Sequence, residues 1–363
     1  MLIVTRNRSC GHARFVGFSL AALALLCAAA AVSAQQKPTP TPASAGTKIY
    51  LDVVVNPKSG PPVTGLAQQD FTILDNKSPQ TITSFQAFSG RQAPLQFVVV
   101  IDAVNNNVQT TNYARLQIDK FLRAEGGQLA YPFALALLTD QGIQPLTDYS
   151  SDGKRLADAL DKQNIGLRIV GRSAGFYGAA DRLEYSLSAM HQLAAGMAAR
   201  PGRNIILWVS SGWPLLSGPG VELTSKEEKQ IFADIVSFSA QFLAGRITLY
   251  AVSPLGAGES VSRGTYYKQF EKGIIKPNQV SAGNLALQVL ALQSGGQVFD
   301  FNNDVSTLLL DCISDSVPYY ELAFDAPPSE RPDEYHHLEV KVSKPGLTAR
   351  TREGYYAQPQ SHN

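Results

Sequence analysis

The feature that most constrains the fold is the segment Leu95-Gln96-Phe97-Val98-Val99-Val100-Ile101-Asp102, an apolar run that ends at an acid. A polar turn at residues 103–107 follows it directly. A nearly continuous apolar run rich in β-branched residues predicts a strand that is buried on both faces of a parallel sheet. Asp102 would then lie at the carboxyl end of that strand, where open α/β sheets bind their ligands. Asp102 is therefore the first candidate for a functional residue.

Predicted strands and helices alternate along residues 93–316, which is typical of a doubly wound, mostly parallel sheet with helices on both faces. Besides the strand that ends at Asp102, the predicted strands are 133–138, 204–210, 247–252, the edge strand 297–300, and 143–146, which folds back on 133–138 as a hairpin. Helical periodicity covers residues 156–160, 177–199, 226–243, 284–293 and 305–313.

Two groups of short β-prone segments flank this block. The predicted strands are 49–55, 71–74 and 81–85 in residues 48–92, and 320–324, 335–342 and 347–351 in residues 317–357. Neither group has enough strands to bury a face and to protect its edges alone. We therefore predict that they pair into one discontinuous β-sandwich, with an α/β domain of residues 93–316 inserted in it.

The N-terminal residues have the three-part layout of a secretory signal. Three arginines precede an apolar, Ala-rich stretch at 15–32, and a small-residue cleavage motif ends at Ala34. This layout predicts a signal peptide at residues 1–34 and export to the periplasm or the extracellular space. An uncleaved membrane anchor is the alternative, although the apolar stretch is short for a helix that spans a bilayer.

The chain after the predicted signal begins with a Pro/Thr-rich linker at 35–47 and ends with a tail at 358–363 that we expect to be disordered. No stretch of it is long and apolar enough to predict a transmembrane span. Two of the three cysteines lie in the predicted signal, so Cys312 has no intramolecular disulfide partner. We expect Cys312 to be a small core side chain.

The charge balance argues against nucleic acid as a partner. The 31 basic and 30 acidic residues give a net charge of +1. The chain therefore lacks the basic excess with which proteins bind phosphate backbones. It also lacks a Cys/His metal-binding spacing and a Gly-rich loop of the kind that cradles phosphates.

Several motifs together resemble a known family. Val53-Val54-Val55, Pro62-Val63-Thr64-Gly65-Leu66 and Asp70-Phe71 precede the strand that ends in Asp102, and Gly354-Tyr355-Tyr356 closes the chain. This combination resembles the exported VWFA-related domain proteins found in Acidobacteria. The resemblance implies a von Willebrand factor A-like α/β domain, which is a binding fold and usually not an enzyme.

The resemblance also implies a cation site, because such domains typically hold a divalent cation through an Asp-x-Ser-x-Ser loop, a threonine and a second Asp. Asp102 matches the first acid, but Val104 and Asn106 stand where the two serines would be. Ser173 matches the threonine, and Ser211 stands where the second Asp would be. Mg²⁺ prefers oxygen ligands and negative charge, so we expect this degenerate metal-ion-dependent adhesion site to bind Mg²⁺ or another divalent cation weakly or not at all. The alternative is a metal-free pocket of hydrogen-bonded polar groups.

The function predicted from these features is recognition of a protein or peptide partner at the crevice beside Asp102. The predicted partner-binding residues are Asp102, Asn106, Ser173, Ser211 and Trp213. Aromatic side chains contribute much of the binding energy at interfaces, so Trp213 in its Gly/Pro-rich loop is either an exposed anchor or a lid that folds back over the site. Trp208, which lies within a predicted strand, is expected in the core.

Two other functions stay open at this point. Gly171-Arg172-Ser173-Ala174-Gly175 matches the Gly-x-Ser-x-Gly loop of serine hydrolases. That chemistry requires an acid and a histidine after the serine; Asp300 could be the acid, but His336 and His337 lie in a strand-like segment. The third hypothesis is a structural envelope component, in which the crevice is vestigial and the sandwich makes the contacts.

Overall fold

The computed structural model describes residues 47–163, 175–216, 222–256 and 266–359. The predicted signal peptide, Ser173 and the last residues of the predicted tail lie outside the described residues. No helix in the described ranges is both long and apolar enough to cross a membrane.

Fifteen strands and six α-helices make up the regular structure of the described residues, together with short 3₁₀ turns. The strands are β1 Lys48–Pro57, β2 Phe71–Asp75, β3 Ser78–Gln80, β4 Ser84–Phe88, β5 Leu95–Asp102, β6 Gln128–Thr139, β7 Gly142–Pro145, β8 Ser150–Asp152, β9 Arg203–Val209, β10 Ile247–Val252, β11 Val298–Phe299, β12 Tyr319–Asp325, β13 Glu334–Val342, β14 Leu347–Arg350 and β15 Gly354–Ala357. The helices are α1 Val108–Arg123, α2 Gly153–Asp161, α3 Gly175–Ala198, α4 Ser225–Ala244, α5 Leu287–Gln293 and α6 Val305–Ser316.

The central sheet has the strand order β11-β10-β9-β5-β6-β7, and β8 also pairs with β6. The first five strands of that order are parallel, whereas β7 and β8 are antiparallel to β6. Leaving β8 aside and numbering the strands by their appearance in the chain gives 6-5-4-1-2-3, the doubly wound order. The prediction of a doubly wound, mostly parallel sheet is confirmed, including the hairpin of β7 on β6. The order reverses between β5 and β9, so the ligand-binding crevice of such folds is expected where these two strands end.

The two faces of β5 are buried against different helices, which explains its unbroken apolar sequence. Phe97, Val99 and Ile101 belong to a core cluster that includes side chains of α1, α2 and α6. Val98 and Val100 belong to a second cluster, which includes side chains of α3, α4 and α5. Cys312 is fully buried in the first cluster, as predicted for a small core side chain, and is a free thiol among the described residues.

The remaining strands form two antiparallel sheets with the orders β14-β1-β12-β4 and β15-β13-β2-β3. Strands from the two ends of the described chain are neighbours in both sheets, since β1 pairs with β12 and β14 and β2 pairs with β13. Apolar residues of both sheets share one core cluster, including Leu51, Phe71, Ile73 and Leu338. The division of the chain into a discontinuous sandwich and an inserted domain stays a prediction.

Local turn chemistry accounts for the differences from the predicted elements. The predicted strand at 81–85 is wrong in its bounds, because Asn76 and Lys77 adopt positive φ angles of 47° and 69° and reverse the chain directly after β2. β3 therefore pairs with β2, and β4 begins only at Ser84. The predicted helix at 284–293 is shorter, because Ala286 has extended backbone angles that separate a 3₁₀ turn from α5.

Candidate functional site

Asp102 lies at the carboxyl end of β5 and is completely buried. Its Oδ1 accepts hydrogen bonds from the backbone N–H groups of Val104 (3.1 Å) and Asn105 (2.8 Å). Its Oδ2 accepts from Asn105 Nδ2 at 2.8 Å and from Trp208 Nε1 at 3.0 Å. Four N–H donors therefore occupy the acceptor positions of this carboxylate, which is close to its full capacity.

Asn106 joins the loops that follow β5 and β9. Its Nδ2 donates to Val209 O at 3.2 Å, and its Oδ1 accepts from the backbone N of Ser211 at 2.7 Å. Ser211 Oγ lies 2.9 Å from Asn106 Oδ1 and 3.2 Å from Asn105 O, so its one proton can be donated to either oxygen. Asn106 is completely buried, and its side chain holds together the two loops of the predicted crevice.

Asn105 extends the network to helix α3. Its Nδ2, which donates to Asp102, also donates to Ser186 Oγ at 2.9 Å, and Ser186 Oγ donates in turn to Arg182 O at 2.8 Å. Asn105 Oδ1 is buried and has no hydrogen-bond partner within the described part of the chain. The sequence interpretation did not include Asn105 or Ser186 among the site residues. The position of Asn105 within the polar turn after Asp102 was the available signal for the first, and no local signal marks the second.

The two tryptophans close the site from the side of β9. Trp208 is buried in the core, as predicted, and contacts Trp213 edge-on with ring centroids 5.2 Å apart. Trp213 is only 4% exposed, so of its two predicted arrangements the structure has the lid and not the exposed anchor. Gly212 allows this return of the chain, because its φ of +102° is unfavourable for other residues. The indole N–H of Trp213 is buried with no acceptor among the described residues.

The described residues of the predicted cation site, Asp102, Asn106 and Ser211, offer a divalent cation no free carboxylate oxygen. Mg²⁺ and Ca²⁺ need several free oxygen ligands, but both oxygens of Asp102 and the amide oxygen of Asn106 already accept from N–H or O–H groups. Val104 packs in the apolar cluster that contains Trp213. The oxygens with unused acceptor positions are Asn105 Oδ1 and Ser211 Oγ, and neither carries a negative charge. In the described ranges there is no group of three or more His, Cys, Asp or Glu side chains arranged to hold a metal.

Asp300 and the two histidines named for the hydrolase hypothesis lie at different sheets of the structure. Burial raises the pKa of Asp300, which follows β11. His336 lies in β13 within the antiparallel sheets, where its Nδ1 is 2.8 Å from Asp75 Oδ1 and its ring stacks on Tyr355. His337 is exposed. His336 is thus engaged with an acid other than Asp300, and Ser173 lies outside the described residues.

Four apolar or aromatic side chains of the described residues are exposed on this side of the sheet. Helix α3 ends shortly before β9 starts at the amino edge of the sheet, so its first residues lie at the carboxyl edge. Phe176 and Tyr177 in its first turn are 54% and 81% exposed, with their ring centroids 6.1 Å apart. Phe301 follows β11 at the same edge and is 55% exposed, and Val108 at the start of α1 is 43% exposed.

Comparison with known proteins finds no matching family model and no matching curated sequence. The chain is similar to the solved human COPII-coat protein Sec24c over 74% of this chain and 44% of that chain, with 11% identity and a TM-score of 0.34. It is similar to the vWF domain of the type V pili tip protein Mfa5 from Porphyromonas gingivalis over 38% of this chain and 43% of that chain, with 15% identity and a TM-score of 0.23. A third similar structure is the conserved hypothetical protein BatB from Bacteroides thetaiotaomicron, with 13% identity over 62% of this chain and 98% of that chain and a TM-score of 0.31.

The chain spans less than half of the Sec24c and Mfa5 chains. At these identities and scores the similarities carry no information on function, and the strand order of the chain itself defines its fold. The narrower resemblance to the acidobacterial exported proteins stays a prediction, and so does the assignment of Asp102, Asn106, Ser173, Ser211 and Trp213 to partner binding.

Proposed function

We propose that this chain is an exported, non-enzymatic binding protein that recognises a protein or peptide partner at the carboxyl edge of its parallel sheet, with no cation in the contact. The observation that carries the proposal is the contrast at that edge. Asp102 and Asn106 of the predicted cation site are buried and hydrogen-bonded, while Phe176 and Tyr177, at the start of the helix that carries Ser186, are exposed.

Phe176 and Tyr177 are the best candidates for contact residues. Two adjacent aromatic side chains that are more than half exposed are costly to leave in water, and aromatic residues are enriched among the residues that dominate binding energy. They begin a long helix whose later turns pack on the sheet core through Leu183 and Met190. The pair therefore stands on a rigid support, which lowers the entropy cost of binding.

The network around Asp102 has a supporting role in this proposal. Asp102 and Asn106 present no surface to a partner while the network is closed. Their hydrogen bonds connect the loops after β5 and β9 with helix α3, through Ser211 and Ser186. A frame of this kind fixes the positions of neighbouring surface loops, and it does so with no metal ion.

The proposal is tested by partner capture from envelope and culture fractions of the source organism, with the native chain as bait and chemical cross-linking before mass spectrometry. We compare the double variant Phe176→Ser/Tyr177→Ser with Leu116→Ser, whose leucine is 63% exposed in the middle of α1. We expect at least one protein to bind the native chain and the Leu116→Ser variant equally. Loss of two anchor residues should weaken that binding by about tenfold or more.

Addition of EDTA should leave capture unchanged. Capture that requires Mg²⁺ or Ca²⁺, or that is equal for the double variant and the native chain, would contradict the proposal. The non-enzymatic part is tested separately with a serine-directed fluorophosphonate. We expect no covalent labelling of Ser173 at saturating probe, and labelling there would instead support a hydrolase.

A further inference from the structure

A second site lies away from the carboxyl edge, where the segment between β14 and β15 crosses the ends of α4 and α5. Glu353 N donates to Gln293 O at 3.3 Å, and Leu338 N donates to Glu353 O at 2.9 Å. Gly295 has a φ of +84°, and a Cβ at its position would lie 2.7 Å from the carbonyl carbon of Thr351. The close approach of these backbones packs the side chain of Arg352 into the interior.

Arg352 is a buried cation that is poorly supplied with acceptors. It is 7% exposed, and one hydrogen bond, from Nη1 to Ser239 O at 3.4 Å, is recorded for it within the described ranges. A guanidinium group carries five N–H donors and is rarely buried without partners. Burial lowers its pKa to about 10, so the group is still a cation at neutral pH.

Arg203, which is 1% exposed, shows what a satisfied buried guanidinium looks like in this protein, since each of its three nitrogens has an acceptor. Arg203 donates to Ser316 O at 2.8 Å and to Thr248 Oγ1 at 3.2–3.3 Å. Arg246 forms ion pairs with Asp52 and Glu321. Asp52 is also the acid whose charge acts on Arg352, but its carboxylate is already bonded to Arg246.

A cavity of about 30 Å³ lies beside Arg352. Its walls are largely apolar, with Ile235, Phe238, Phe242 and Leu290 among the lining residues. Tyr335, Ser294 and the acid Glu353 also line it, and burial raises the pKa of Glu353. The hydroxyls of Tyr335 and Ser294 already donate to Glu353 O and Ala291 O, which leaves Arg352 as the charged donor of the lining. A cavity of this size has room for a small ion or for about one or two water molecules. It is too small for a tetrahedral oxyanion such as sulfate.

We propose that this cavity holds a small monovalent inorganic anion, chloride under physiological conditions, as the counter-ion of Arg352. The anion accepts from the N–H groups of the guanidinium that have no other acceptor. Because the cavity is lined by α4 and α5 on one side and by the segments around Tyr335 and Arg352 on the other, the bound anion ties the parallel-sheet layers to the antiparallel sheets. An exported protein would then be more stable where chloride is abundant.

The direct test is a crystal structure of the native chain grown in sodium bromide, since bromide replaces chloride and is located by its anomalous scattering. We expect an anomalous peak within hydrogen-bonding distance of the Arg352 guanidinium. Density in the cavity without an anomalous signal means that water fills it, and the proposal is then wrong.

The second test is thermal unfolding in chloride and in gluconate at equal ionic strength, so that general screening is the same in both. Specific binding to the folded state should raise the melting temperature saturably, by about 4 °C when chloride is 100-fold above its dissociation constant. The variant Arg352→Met should lose the difference between the two salts, whatever its absolute stability. Arg123→Met, which removes an exposed arginine with ion pairs to Asp119 and Asp158, should keep it. Equal melting temperatures of the native chain in both salts would refute the proposal.

Discussion

Replacement of Asp102 by Asn tests whether the carboxylate at the end of β5 is held by N–H donors. The amide that replaces it has one oxygen and one NH₂ group, so in either orientation two donors meet an NH₂ group. Trp208 Nε1 and Asn105 Nδ2 face one carboxylate oxygen, and the backbone N–H groups of Val104 and Asn105 face the other. Two charge-assisted bonds are lost in a completely buried site.

The size of the effect follows from these contacts. Each hydrogen bond to a charged group contributes about 1.5–3 kcal/mol, and removal of a buried charge returns part of that loss. We therefore expect Asp102→Asn to lower the free energy of unfolding by about 3 kcal/mol. Asp152→Asn is the matched control, because Asp152 caps α2 at an exposed position where Asn caps equally well. Its cost should be below about 0.5 kcal/mol.

The assay is urea unfolding followed by tryptophan fluorescence. The chain has two tryptophans, Trp208 and Trp213, and both lie at the site, so the signal reports on its surroundings. A cost below about 1 kcal/mol for Asp102→Asn would refute the hydrogen-bond reasoning. A rise in the stability of the native chain with millimolar Mg²⁺ would also refute it, because a cation would then be using oxygens that we assign to N–H donors.

Three further predictions concern stability. Trp213→Ala should lower the free energy of unfolding by about 3 kcal/mol because it opens a cavity, whereas Trp213→Phe should lower it less, because the indole N–H has no acceptor to lose. Equal losses for the two variants in urea unfolding would argue against a lid. Gly295→Ala should lower the free energy of unfolding by more than 1 kcal/mol, because the new Cβ collides with the backbone of Thr351. Gly142→Ala, at a similar φ but with open space around it, should lower it less in the same assay, by the conformational strain alone. Burial raises the pKa of Asp234 above its unfolded value, so ionisation of this carboxyl destabilises the folded state. Asp234→Asn should therefore raise the melting temperature at pH 7 but not at pH 3, and a rise at pH 3 alone would contradict the assignment.

Much of the fold could be predicted from residue patterns. The bounds of β5 and β10 match the predicted strands, and the long helices α3 and α4 begin and end within two residues of the predicted positions. These elements are either buried on both faces or amphipathic over many turns, so their burial is written directly in the spacing of apolar residues. Short elements such as β3 and β8 carry too few residues to show a period.

The sequence predicted where in the sheet Asp102 lies, but it did not predict that the oxygens of its carboxylate are occupied by hydrogen bonds. The position of Asp102 at a strand end follows from the local sequence, and the position of that strand beside the point where the sheet order reverses follows from the alternation of elements. Three of the four donors to its oxygens lie within three residues of it, but the fourth, Trp208 Nε1, lies 106 residues away. Ser186, which accepts from the same Asn105 amide group, lies 81 residues from Asn105. No local pattern encodes such contacts.

The sequence by itself determined the parallel sheet and its layers of helices, because the hydrophobic period is a local property. Only the tertiary structure decided that Trp213 is a buried lid and that Arg352 lies beside a small cavity. Both outcomes depend on how distant segments pack, since the space left around a side chain is set by all of its neighbours together.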